Sequence, residues 1–238
     1  MASLHKKYAA IPTSFWPYYA KLCSTNTRHP LLRATQIYGE QSILDNIDKL
    51  FRITLRNTGL EKKELFSDLS FDRNNLDDDH LQSIFGVMRA INILSGIGFS
   101  NLRPLRPKKR KRESDLVGEK NGEKYAIEVF RSNERAYRFP DHHRYPNSLQ
   151  RYIAKRYLRD KRLQLESTMR TYKCQKALLA VVMDSQPAKA LVAGSDWNVV
   201  AKKTFELMKT PTNTQLFIFT GMSDIDGKDE FIFYPTFI

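Results

Sequence analysis

Apolar side chains recur with helical spacing in the first part of the chain and with strand character in the second. Between Ile43 and Leu55, residues Ile43, Ile47, Leu50 and Phe51 fall on one helix face. The run Asn74-Asn75-Leu76-Asp77-Asp78-Asp79 supplies helix-starting residues. Leu81, Ile84, Val87, Met88, Ile91 and Leu94 then share a face until Gly96 and Gly98 end the pattern. After residue 100 the period changes. Asp115-Leu116-Val117 is a short apolar segment, Gly118 to Gly122 carries the turn-forming Asn-Gly pair, and Lys124 to Phe130 is a β-prone run, so the three predict a hairpin. A long helix is predicted from about Leu149 to Arg170. At 100° per residue Ile153, Ala154, Tyr157, Leu158, Leu165 and Met169 lie on its apolar side. Gln150 and Lys161 share that sector, while Arg151, Lys155, Arg156, Arg159, Arg162 and Arg170 form a basic outer face. Ala177 to Met183 and Gln215 to Phe219 read as buried strands, Trp197 to Met208 as a helix between them, and Glu230 to Tyr234 as a last edge strand.

This alternation predicts an α/β fold, a mixed central sheet flanked by helices, preceded by an N-terminal helical region. The expected boundary lies near residue 75, giving a helical region over 1–75 and the α/β core over 76–238. The segment around Phe15-Trp16-Pro17-Tyr18-Tyr19 is aromatic-rich but carries no chemical motif.

Composition narrows the partners. The 238 residues carry a formal net charge of +13, which favours association with phosphate backbones. Ribosomal and membrane-surface proteins share that signature, so charge alone fixes no function. Cys23 and Cys174 are too few and too isolated for a disulfide framework or a thiolate metal site, which suits a reducing compartment. No apolar run reaches the roughly 20 residues of a membrane span, and Pro12, Pro17 and polar residues interrupt any signal-peptide core. The glycines form neither a P-loop nor a dinucleotide fingerprint, and no nucleophile elbow is present, which disfavours nucleotide-cofactor chemistry and covalent hydrolysis.

The candidate chemistry is a pair of carboxylates. A hairpin of this kind carries Asp115 near the end of one strand and Glu128 on its neighbour, close enough to share a hard divalent cation such as Mg²⁺ or Mn²⁺. Asp115, the hairpin, Glu128, the helix and the following strand together resemble the PD-(D/E)xK nuclease superfamily over roughly Leu76 to Met222. The resemblance implies a restriction-endonuclease-like core in which Asp115, Glu128 and the Val129 carbonyl bind Mg²⁺ or Mn²⁺. It also implies that Asp77, on the preceding helix, completes the sphere, and that Gln150 positions water or phosphate. The family's lysine, two residues after the glutamate, is replaced here by Phe130, and Ser114 stands where a proline is usual. Substitutes for that lysine are poorly placed in this reading. Arg131 points to the other strand face, Lys124 is about 13 Å down the strand, and Lys155 projects from the outer side of the helix. Lys161 lies about 16 Å beyond Gln150. Its competing role is a lysine whose stem packs while its amine reaches water. An ordinary hairpin with two solvent-facing acids is the plain alternative.

Seven of the ten residues from Arg103 to Arg112 are Lys or Arg. Arg106, Lys108, Lys109, Arg110, Lys111 and Arg112 lead directly to Asp115 and are expected to guide a phosphate backbone there, with Lys155, Arg156 and Arg159 adding to the surface. A nuclear-localisation peptide and a solvated loop are the competing readings of the tract. His142 and His143 are adjacent on a polar loop, where solvation is the commoner fate. The leading expectation is a metal-dependent endonuclease acting on DNA, with RNA as an alternative partner. It is cytoplasmic and nucleoid-associated, or nuclear in a eukaryotic or viral source. Cutting both strands implies a homodimer or a larger complex. The runner-up is a catalytically inactive nucleic-acid-binding module of the same fold, possibly a subunit of a defence, repair or recombination complex. A third reading is an interaction protein whose basic surface meets an acidic partner.

Overall fold

The computed structural model describes residues 6–25, 28–106, 113–132, 145–183, 197–220 and 231–235. The chain divides into two compact units, Met1–Ile97 and Gly98–Ile238. The first is helical, with α1 (Phe15–Thr25), α2 (Pro30–Tyr38), α3 (Glu40–Thr58), α4 (Lys62–Asp68) and α5 (Asp78–Gly96). Phe15, Tyr18, Leu22, Leu44, Phe51 and Leu65 form a shared core that also takes in Leu81, Ile84 and Met88 of α5. That packing moves the boundary. Because the apolar face of α5 is buried with the helical unit, the division falls after Ile97 and not near residue 75.

The second unit is built on a six-stranded sheet in sequential order. Its strands are β1 (Ser100–Pro104), β2 (Leu116–Lys120), β3 (Glu123–Ser132), β4 (Lys176–Met183), β5 (Thr214–Thr220) and β6 (Phe231–Tyr234). The β1–β2, β2–β3 and β5–β6 pairs are antiparallel, whereas β3–β4 and β4–β5 are parallel. The sheet is therefore mixed and flanked by helices, as the alternation of patterns predicts. Each parallel pair needs a crossover. The first carries α6 (Tyr145–Arg156), one π-helical turn (Tyr157–Lys161) and α7 (Arg162–Tyr172), and the second carries α8 (Trp197–Met208).

Alternation along the strands sorts the core. Ala126 and Phe130 of β3, Ala177, Leu179, Val181 and Met183 of β4, and Leu216 and Ile218 of β5 pack with Leu149, Ile153, Tyr157, Leu165 and Ala201 of the helices. The opposite set, Ile127, Leu178, Ala180, Val182, Phe217 and Phe219, is also buried, which explains the continuous apolar runs of β4 and β5.

Two local differences from the sequence reading matter. The hairpin turn is only Asn121–Gly122, both at positive φ (52° and 79°), so Gly118, Glu119 and Lys120 belong to β2. The long helix is not straight: Arg162 N–H bonds to the Tyr157 carbonyl five residues back, and Leu158 turns outward, 44% exposed.

Candidate active site

The β2–β3 register pairs Leu116 with Ile127, so the next step outward sets Asp115 opposite Glu128. Asp115 stands just before β2 and is fixed from two sides. Its Oδ2 accepts a hydrogen bond from Val129 N–H at 2.8 Å, and its carbonyl accepts one from Leu105 N–H at 2.8 Å. N–H and C=O of one strand residue point to the same edge, so the Val129 carbonyl also faces the edge where β2 has ended.

Glu128 lies mid-strand, on the face that Ala126 and Phe130 turn to the helices, and is 1% exposed. Lys161 Nζ donates to its Oε1 at 2.5 Å. Its Oε2 is buried with no hydrogen-bond partner among the described residues. Burial pushes the Glu128 carboxyl well above the usual carboxylate range, and the nearby Asp115 charge adds to this. Lys161 and the Asp115 backbone amide oppose them. Asp115, itself partly exposed, is raised in the same sense by desolvation, with Lys161 and the Val129 amide opposing.

One helix face reaches Glu128 and the chain just before Asp115. Three residues after Lys161, the Gln164 side chain donates to the Glu113 carbonyl at 3.4 Å. Four residues further on, Thr168 Oγ1 accepts from Ser114 N–H at 2.7 Å. Ser114 thus offers a backbone N–H that a proline would lack, and α7 uses it to anchor the chain beside Asp115.

Lys161 is the candidate residue whose position differs from the sequence reading. That reading favours Gln150, near the start of the helix, and sets Lys161 about 16 Å further along. Instead β3 runs four residues past Glu128 to Ser132 before the chain crosses over, so the middle of the helix, not its start, lies above the glutamate. Gln150 is correspondingly displaced. It is buried, 4% exposed, and lines a crevice between α6 and α8 with Arg151, Lys203, Glu206 and Leu207. It is not among the groups that touch either acid.

The rest of the expected set is scattered. Asp77 belongs to the helical unit, where it stands at the N-terminus of α5, so the site is described without it. Phe130 is buried, its ring centroid 5.6 Å from that of Tyr152 and 5.6 Å from the Arg156 guanidinium. Lys155 and Arg159 are exposed, as the outer-face assignment predicts, but Arg159 is paired with Asp160 at 2.7 Å. Arg156 also reaches Asp160, at 3.2 Å, and lies largely over Phe130 instead of in solvent. Arg106 is exposed. Lys108, Lys109, Arg110, Lys111 and Arg112, like His142 and His143, lie outside the described residues.

The donor set fits a hard divalent cation of the Mg²⁺ or Mn²⁺ class. Two carboxylates converge, one buried carboxylate oxygen is without a partner, and a carbonyl faces the same edge; Mg²⁺ commonly takes one or two carboxylates and completes its sphere with water. Among the described residues no group of three or more His, Cys, Asp and Glu side chains converges, so no third acid joins the pair. Comparison with family models, with curated proteins and with solved structures finds no match to this chain.

Proposed function

We propose that the protein is a metal-dependent endonuclease that hydrolyses DNA phosphodiester bonds, with a PD-(D/E)xK-type site whose lysine is supplied by the helix. The observation that carries this reading is the 2.5 Å contact of Lys161 Nζ with Glu128 Oε1, beside Asp115 and next to a buried carboxylate oxygen without a partner. It supplies the cation that Phe130 removes from the strand.

In this reading Asp115, Glu128 and the Val129 carbonyl hold Mg²⁺ or Mn²⁺. When bound, the cation lowers the pKa of coordinated water and offsets charge on the scissile phosphate. The chain's own groups do the rest. The Val129 amide and the Leu105 amide keep Asp115 aimed at the edge shared with Glu128. Lys161 donates toward the same position, where an ammonium orients an attacking water by hydrogen bonding and stabilises negative charge developing on the phosphate. Burial of Glu128 strengthens each of these interactions by excluding water from around them.

A DNA substrate accords with the charge of +13, and it places the protein with the nucleoid, or in the nucleus of a eukaryotic host. Cutting both strands usually calls for a second copy, since the described residues contain one such site. Among the described residues no helix is long and apolar enough to cross a membrane.

The test is cleavage of plasmid DNA with Mg²⁺ or Mn²⁺. Wild type is expected to nick or cut, D115N, E128Q and K161M to lose at least about a hundredfold in rate, and all three to bind DNA nearly as wild type does. The competing reading, a binding module without catalysis, treats Glu128–Lys161 as a structural ion pair, which its burial also permits. It predicts that wild type and the three variants are equally inactive and bind DNA alike. Cleavage that survives in D115N and E128Q sinks the proposed site outright.

A further inference from the structure

Arg156 lies next to the site without being explained by it. Its guanidinium lies 5.6 Å from the centroid of the Phe130 ring. Phe130 and Glu128 are two residues apart on β3 and therefore share a strand face. On the helix, Arg156 and Lys161 are five residues apart, which in a straight α-helix would put them on different sides. The π-turn between them carries five residues in one turn, as the Arg162 N–H to Tyr157 carbonyl bond shows, and it brings the two cations onto one stripe. That stripe also includes Tyr152, which packs on Phe130. Tyr152, Arg156 and Lys161 are all partly exposed, whereas Ile153 and Tyr157, each one residue on from the first two, are buried. The stripe therefore borders solvent beside the carboxylates.

The guanidinium is held but not satisfied. Nη1 reaches Asp160 at 3.2 Å, an acid that Arg159 also engages at 2.7 Å. Nε is buried without a partner among the described residues, and the side chain as a whole is 31% exposed. The guanidinium thus lies over the Phe130 ring with its hydrogen-bonding capacity only partly used. Buried donors without partners are uncommon and call for an explanation. A guanidinium carries donors in a planar fork suited to phosphate oxygens, which a lysine in the same place lacks, and the partly exposed Arg156 offers such a group beside the carboxylates.

We infer that Arg156, seated on Phe130, is a phosphate-binding site for the nucleic-acid backbone, adjacent to Asp115, Glu128 and Lys161. In this arrangement the residue that replaces the family lysine has a role of its own: the Phe130 ring is the platform for the arginine. The inference rests on the nuclease reading for its substrate, but it concerns binding, so its failure and the failure of that reading are separable.

The experiment measures binding of a fluorescein-labelled DNA duplex by anisotropy across a salt series, with Ca²⁺ in place of Mg²⁺. Relative to wild type, R156Q is expected to lower the slope of log affinity against log salt by about 0.9, the increment of one phosphate contact. R156K is expected to restore the slope but not the full affinity, because it returns the charge without the fork. R170Q, which removes an exposed arginine at the far end of α7, is the charge-matched control and is expected to leave the slope near wild type. An unchanged slope in R156Q, or equal losses in R156Q and R170Q, overturns the site. A purely structural role for Arg156 lowers thermal stability but not the slope, and overturns it too. A second measurement needs no variant: duplex DNA is expected to protect Arg156 of the wild-type protein from phenylglyoxal, read by peptide mass spectrometry, and modification at an unchanged rate counts against the proposal. Wild-type protein that fails to cut under any metal removes the nuclease reading and leaves these binding results standing.

Discussion

At the scale of single residues, Glu128 and Lys161 each depend on the other for their burial. Glu128 is 1% and Lys161 16% exposed, so removing one partner leaves the other charge uncompensated, at a cost of about 3–5 kcal/mol. K161M is therefore expected to lower unfolding free energy in urea by about 3 kcal/mol. Adding E128L is expected to recover most of that loss, because no buried charge then remains; a double variant as unstable as K161M would contradict this. The pH dependence follows from the raised carboxyl of Glu128. In the unfolded chain the group ionises near its ordinary value of 4.5, whereas the fold retains the proton to higher pH. Between those two values the native state binds more protons than the unfolded state, so the contribution of Glu128 is fully present below 4.5 and is lost as pH rises through the raised value. In metal-free buffer, E128Q has no such group and is expected to gain on wild type by about 1.4 kcal/mol per pH unit across that window. A stability difference that stays flat, or shrinks, as pH rises would mean that Lys161 outweighs burial. Mn²⁺ affinity of wild type should rise over the same range, since binding requires the deprotonated acids.

At the scale of elements, the site depends on a hairpin, an edge strand and a π-turn, and these were unequally legible in the sequence. Asn121-Gly122 is a local turn signal, and the apolar runs of β4 and β5 are long enough to identify themselves, so the hairpin, both buried strands and α8 are read correctly. β1 is missed because only Leu102 and Pro104 turn inward among the polar Ser100, Asn101 and Arg103, and its register to β2 is interrupted by an irregularity. That Asp115 and Glu128 come opposite each other is legible because a strand pair with an acid on each member is a sequence-level pattern. The position of Lys161 is not legible because nothing local marks a π-turn, and because the length of β3 past Glu128 sets which part of the helix meets it. Two changes test this packing. A Cβ on Gly118 would lie 2.7 Å from Leu102 Cδ2, so G118A forces the buried Leu102 side chain to repack and is expected to cost about 1–3 kcal/mol by thermal denaturation. The π-turn contains one residue more than an α-turn, and Leu158 within it is exposed. Deleting Leu158 puts Arg156 and Lys161 four apart on one α-helical face, so the variant is expected to fold cooperatively with the Glu128–Lys161 contact intact. Inserting an alanine after Leu158 instead swings Lys161 away and is expected to mimic K161M. Equal damage from deletion and insertion would show that the π-turn itself, not the facing of Lys161, is required.

At the scale of the whole molecule, the two units separate packing from chemistry. Asp115, Glu128, Arg156 and Lys161 all belong to Gly98–Ile238, while the aromatic core of Phe15, Tyr18, Phe51 and Phe66 is complete within Met1–Ile97. Residues 98–238 alone are expected to keep whatever cleavage the full chain shows; loss of cutting in a folded fragment would place an essential group in the helical unit, with Asp77 the first to examine. Charge is the other property of the whole chain. At +13, any polyanion is attracted, and affinity alone cannot distinguish a guided phosphate backbone from general attraction. The salt slope can, because it counts the counterions released by phosphates in contact. Arg106 is exposed just beyond β1. Lys108, Lys109, Arg110 and Lys111 lie outside the described residues and enter through the sequence alone, as four cations between Arg106 and Asp115. Changing those four residues to glutamine is expected to flatten the slope by up to about 3–4, at 0.9 for each lost contact. It should weaken random-sequence duplexes uniformly, since phosphates carry no sequence information. An unchanged slope removes the tract from the binding surface and leaves Arg156, with the outer face of the helix, as the route by which a backbone reaches Asp115 and Glu128.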